Sequence, residues 1–179
     1  MEVVAPGAVV VVAPGAVVVV VGSCAGRAAA YSPSVSPAGA PRAASEVDVE
    51  PAAVVLVDGL DVDVLAPEVA DDEVLATVHD REYIEAVRRA SADPTVADQH
   101  RGLGTEDDPA FAGMHEASAR IAQGTLDICR GVWQGDIDHG VNYCGGLHHA
   151  MRSYASGFCI YNDIGVGIQW LLDHGAQRV

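Results

Sequence analysis

The stretch GMHEASARIAQGTLDICRGVW, followed at once by DIDHGVNYC, constrains the fold more than any other part of this sequence. Met114, Ala117, Ile121, Ile128 and Val132 recur at three-and-four spacing, the apolar stripe of an amphipathic helix. Gly135 closes that helix, and residues 136–144 read as a short buried strand. Beyond a glycine-rich loop, Asn162 or Asp163 caps another helix, with Ile164, Ile168, Leu171 and Leu172 facing inward. His174 lies in its last turn, Gly175 ends it, and residues 177–179 begin a new strand. Upstream, DDEVLATVHDREYIEAVRRA reads as two short helices; the second starts at an Asp80 cap and gathers Tyr83, Ile84 and Val87 on one face. Between them and the long helix, residues 91–111 form a polar loop punctuated by glycine and proline, of a length that is often functional. This helix–strand alternation predicts an α/β fold, a parallel sheet with helices on both faces, whose ligands sit beyond the carboxyl ends of the strands.

The N-terminus has a different character. VVAPGAVV occurs at residues 3–10 and again at 11–18, and residues 3–22 carry no charge. A signal peptide would need a basic start, whereas the chain opens Met1-Glu2. Two Pro-Gly steps within a β-branched run argue against a membrane helix. Residues 1–45 are therefore read as a low-complexity Val/Ala/Pro/Gly segment and linker, extended or disordered, and residues 46–179 as the folded domain. Between Glu46 and Asp80 there are eleven acidic residues and no arginine or lysine, which reads as a solvated acidic face around a strand at residues 53–59.

Charge and cysteine content exclude some functions. The formal net charge is −15, and all ten basic residues are arginine. Such a chain repels phosphate backbones, so direct nucleic-acid binding is not expected, and a neutral or cationic ligand is easier to accommodate. Cys24, Cys129, Cys144 and Cys159 form no Cys-x-x-Cys pair and read as reduced thiols of a cytoplasmic protein, without a membrane span.

The loop after the 136–144 strand reads GGLHHA, with ASGFCIYND a few residues on. Two adjacent histidines between glycines at a strand's carboxyl end admit three readings. They are polar loop residues satisfied by hydrogen bonds, or part of a zinc site with Cys144 and Cys159, or general acid–base groups. The zinc spacing matches no usual arrangement. Acid–base chemistry suits imidazoles that are neutral near pH 7, and the glycines let the backbone turn both rings into a cleft.

GGLHHA followed by ASGFCIYND closely resembles the zinc-dependent histone deacetylase family, in particular its bacterial acetoin-utilization branch. LATVHDREYIEAV at 75–87 and GLGTEDDPAFAGMHEASARIAQG at 102–124 resemble the same branch in the same order. The resemblance covers about residues 53–179 and implies an arginase/deacetylase-like α/β fold of three layers, together with removal of an acetyl group from a lysine-type amine of a protein or small molecule. It implies electrostatic stabilisation of the transition state by His148 and general base, then acid, work by His149. Gly157 would receive the substrate N–H at its carbonyl, Phe158 would wall the channel, and Asp107 would grip the substrate backbone at the rim. The cofactor implied is Zn, with metal ligands downstream of residue 179 in the family and none assigned in this chain. On that reading the chain is the front part of a deacetylase, inactive alone; a non-catalytic module binding acylated amines or proteins is the alternative.

Overall fold

The computed structural model describes residues 66–179 together with the backbone of Val17–Val20. Its elements are strand β1 (Val17–Val20), helices α1 (Asp72–Ala76), α2 (Arg81–Ala92) and α3 (Met114–Gln134), strand β2 (His139–Asn142) and helix α4 (Asp163–Asp173). β1 and β2 pair in parallel, Val17 opposite His139 through Val20 opposite Asn142. β1 begins at the end of the second copy of the valine repeat and runs into the valines that follow it. The expected strand at 53–59 lies outside the described residues.

The two short helices form where the sequence puts them. Asp71 caps α1, its carboxylate accepting the Val74 N–H at 2.8 Å. α2 buries Tyr83, Ile84 and Val87 against α3, with Leu75, Leu103, Met114 and Tyr161 in the same core. Asp80 occupies the cap position, but its carboxylate does not cap. It accepts instead from Arg152 Nε at 2.7 Å and from Ser153 Oγ at 2.6 Å, tying the start of α2 to the segment after the two histidines. The polar loop contains two single turns of 3-10 helix, Pro94–Val96 and Gln99–Arg101, capped by Asp93 and Asp98.

α3 runs 21 residues and ends at Gly135 in the left-handed conformation. Met114 and Ile121 are buried as expected, but Val132 is 46% exposed. β2 is shorter than the reading of 136–144 and only half-buried, with Tyr143 exposed just after it. Residues 177–179 form no strand.

The larger correction concerns α4. Ile164, Ile168 and Leu172, expected to face inward, are 40%, 38% and 45% exposed, and Leu171 is only partly covered. The buried face carries Asp163, Val166 and Gly167. Side-chain size decides this orientation: a Cβ on Gly167 would lie 2.7 Å from Cys129 Sγ, so glycine lets the α4 backbone approach α3 where an isoleucine could not. Asp163 is held on the same face by Thr125.

Candidate active site

β2 ends at Asn142, and that side chain starts the loop that carries the histidines. Its Nδ2 donates to the Ile121 carbonyl at 3.0 Å and to Thr125 Oγ at 2.8 Å, both on α3. Its Oδ1 accepts the Cys144 N–H at 3.2 Å and bends the chain out of the strand. Asp163 takes over from there. Fully buried at the start of α4, it accepts from Thr125 Oγ at 2.5 Å, from the Gly146 N–H at 3.1 Å and from the Leu147 N–H at 2.7 Å. Asn162 makes the helix cap, its Oδ1 accepting the Gly165 N–H at 2.8 Å, so the two adjacent candidates divide the work.

His148 and His149 follow, both exposed, with ring centroids 4.3 Å apart. His148 Nδ1 lies 2.9 Å from the Gly146 carbonyl, which can only accept, so Nδ1 carries a proton. The His149 ring lies against Gly157. A Cβ there would be 2.9 Å from His149 Cβ and Cγ, so only glycine admits the ring in this place.

Gly157 and Phe158 form the two central residues of a tight turn closed by Ser156 and Cys159, which exchange N–H···O bonds of 3.2 and 3.0 Å. Both have positive φ, 59° and 63°, as a type I′ turn demands. Glycine adopts this conformation freely, but Phe158 does so at a cost of about 1–2 kcal/mol. Its ring nevertheless stands 75% exposed. Strain at an exposed aromatic residue points to use rather than packing.

The acidic loop secures this turn. Asp107 Oδ2 accepts the Gly157 N–H at 2.7 Å. The Gly157 carbonyl accepts from Cys159 Sγ at 3.2 Å and keeps a second lone pair. Asp108 is buried behind it with Oδ1 lacking a hydrogen-bond partner. Burial, and then the Asp107 charge, push its pKa up to about 6 against the pull of the Cys159 and Phe158 N–H groups. Burial also raises the Cys159 thiol, which keeps it in the unreactive protonated form.

A third histidine braces the loop from beneath. His79 is fully buried; its Nδ1–H donates to the Met151 carbonyl at 3.0 Å, and its Nε2 accepts the Asn162 N–H at 2.9 Å. That pair of roles requires the neutral ring, and burial lowers its pKa accordingly. Tyr83 OH donates to the Ile160 carbonyl at 2.8 Å, and His115 Nδ1 meets Tyr161 OH at 2.9 Å.

All five residues singled out from the sequence thus lie in one connected patch: His148 beside His149, His149 on Gly157, Gly157 on Asp107, and Phe158 next in the turn. Sequence reasoning passed over His79 and Asp108, and it named Asp163 only as a helix-cap candidate. Among the described residues no three His, Cys, Asp or Glu side chains come together to hold a metal ion. An Asp-x-His spacing occurs at Asp98 and His100, but that carboxylate accepts the His100 N–H and pairs with Arg101. The described residues therefore do not fit a zinc site.

This layout, paired histidines at a strand's carboxyl end facing a Gly-Phe-Cys turn, has clear relatives. The histone deacetylase domain profile matches residues 45–179, and the chain belongs to the histone deacetylase family. Over 121 residues it is 46% identical to the acetoin utilization protein AcuC of Bacillus subtilis, and it is 37% identical over 118 residues to AcuC of Staphylococcus xylosus. These matches cover 66% and 65% of the chain and 31% of each relative, so the chain spans about a third of their length. The crystal structure of an HDAC homolog complexed with SAHA superposes with a TM-score of 0.57 at 28% identity, over 63% of this chain and 30% of that one. The HDAC homolog from Aquifex aeolicus gives the same values. The arginase/deacetylase-like α/β class expected from the sequence is thereby established.

Proposed function

We propose that the protein acts on N-acetyl-lysine-type amides, with His149 taking a proton from the attacking water and returning it to the departing amine. His148, 4.3 Å away ring to ring, would stabilise the charge that develops on the amide oxygen. The acetylated side chain would lie along the Phe158 ring, with its amide N–H on the free lone pair of the Gly157 carbonyl. Asp107, whose Oδ2 is taken by the Gly157 N–H, would offer Oδ1 to the substrate backbone. The observation that supports this reading is the close seat of the His149 ring on Gly157. The family's zinc finds no ligand set among the described residues. The net charge of −15 speaks for an acetylated protein or amine as partner rather than nucleic acid. Cys129 and Cys159 are free thiols, in keeping with a cytoplasmic setting. No described helix is long and apolar enough to cross a membrane.

A second reading, a module that binds acylated amines or partner proteins without hydrolysis, is favoured by that same lack of a grouped ligand set. Titration of the 179-residue protein with an acetyl-lysine peptide and its unacetylated twin, followed by amide NMR, tests the shared core of both readings. Shifts at His149, Gly157 and Phe158 with the acetylated peptide alone are expected, and their loss in Phe158→Ala. Equal response to both peptides, or none, would overturn it. Acetate release abolished by His149→Ala would then select the enzyme over the binding module.

A further inference from the structure

Three consecutive amides of the tight turn have different acceptors. The Gly157 N–H goes to Asp107 Oδ2 at 2.7 Å, and the Cys159 N–H to the Ser156 carbonyl at 3.0 Å. The Phe158 N–H finds no backbone acceptor among the described residues; it faces the carboxylate of Asp108, which also draws on the Cys159 N–H. Asp108 is 2% exposed and held at both ends of its own backbone. Its N–H donates to Thr105 Oγ1 at 3.0 Å, and its carbonyl accepts the Gly104 N–H at 2.8 Å. Its Oδ1 lacks a partner, so burying this carboxylate costs the fold stability. Phe158, at φ 63°, carries a second cost. An uncompensated anion next to a strained residue is accounted for if the one sustains the other.

We infer that Asp108 is a positioning residue for Phe158: by accepting the Phe158 N–H, its buried carboxylate holds that residue at positive φ and so fixes where the exposed benzyl ring stands. Without an acceptor at that point the Gly157–Phe158 peptide is free to rotate, and Phe158 returns to the negative φ that a residue with a Cβ prefers. Asp107 cannot do this task, because it binds one amide earlier, at a glycine that adopts positive φ freely. An anionic acceptor holds an amide more firmly than a neutral one, and burial keeps water from competing for the same N–H. The two neighbouring acids of the loop thus have separate tasks. Asp107 is exposed and keeps Oδ1 for a ligand, whereas Asp108 is enclosed and serves only the turn.

The consequence for function rests on reading Phe158 as a wall of the substrate channel, but the test of the positioning role needs no substrate. NMR of the 15N-labelled 179-residue protein at neutral pH reads it directly. A positive φ brings the Phe158 amide and α protons close together and gives a strong cross-peak between them. The Phe158 amide should also exchange slowly with solvent, although the residue itself is exposed. In Asp108→Leu, which keeps the bulk and removes the acceptor, exchange at Phe158 should quicken roughly tenfold or more, the loss of one hydrogen bond to a charged group. The cross-peak should weaken as the population at positive φ falls about tenfold. Asp108→Asn keeps an acceptor oxygen and should restore both signals. A wild-type Phe158 amide that exchanges like an unfolded one, or that lacks the strong cross-peak, overturns the inference even if Asp108→Leu fails to fold. So does an Asp108→Leu protein with both signals intact, or an Asp108→Asn protein that loses them. Acetyl-lysine peptide binding should weaken in Asp108→Leu alongside the change at Phe158. Unchanged binding beside a relaxed Phe158 would undo the channel reading and leave the positioning role standing.

Discussion

Replacing Gly157 by alanine isolates the contact on which the site turns. Two costs arise there. A residue other than glycine at φ 59° costs about 1–2 kcal/mol. The new Cβ would also lie 2.9 Å from His149 Cβ and Cγ, next to the backbone where the ring cannot swing clear, and such overpacking costs about 1–3 kcal/mol. Gly146 provides the matched control in the same loop, because its φ is 88° and nothing lies within 4 Å of its Cβ position. Gly146→Ala should therefore cost only the backbone share, about 1–2 kcal/mol. Urea denaturation of both variants measures the difference, expected at about 1–3 kcal/mol in the direction of Gly157→Ala being worse. The His149 side-chain resonances should move in Gly157→Ala and stay put in Gly146→Ala. Equal destabilisation of the two variants, or an undisturbed His149 in the first, would refute the seat of the ring on Gly157.

Other expectations follow from the buried groups. His79 and His115 have pKa values lowered by burial, so the unfolded chain takes up protons that the fold refuses; stability should fall as pH drops below about 6.5, and His79→Gln should flatten that fall in a thermal melt series. Asp108 behaves oppositely: with a folded pKa of about 6, its ionisation costs the fold stability as pH rises from about 4 toward 6. Asp108→Asn should accordingly gain in melting temperature relative to wild type across that window and hold the gain above it, and a pH-independent difference would contradict the assignment. Zinc titration of the isolated 179-residue protein by calorimetry should show no stoichiometric site, since no ligand set is grouped among the described residues. Cys159 should label slowly with iodoacetamide at neutral pH, as a buried thiol with a raised pKa, and should quicken only on unfolding.

Periodicity served well where the buried face is made of large side chains. α2 and most of α3 show their stripes openly, because a tyrosine, isoleucine or methionine every three or four residues leaves one solution. It misled on α4, where hydrophobicity ranked Ile164 and Ile168 above Gly167, yet close approach to Cys129 requires the smallest residue on the inner face. The histidine pair and the Gly-Phe-Cys turn were legible as motifs because chemistry restricts which residues serve there. Asp163, Asp108 and His79 were not, since each acts through bonds to backbone groups far along the chain, and a backbone partner leaves no mark on the sequence. Asp163 Oδ1, for example, serves the Leu147 N–H, which any residue but proline would offer.

His79 reaches Met151 across a separation of 72 residues, and Asp80 reaches Arg152 and Ser153 over a similar span. The segment bearing the two exposed imidazoles is therefore anchored by distant partners as well as by its own neighbours, and the distant anchors exist only after the first helices have docked. Such long closures are entropically expensive and form late in folding. The Asn162 amide, which donates to His79, should consequently exchange its hydrogen with solvent only when the whole domain opens, although it sits at the end of a helix, where fraying would ordinarily expose it first.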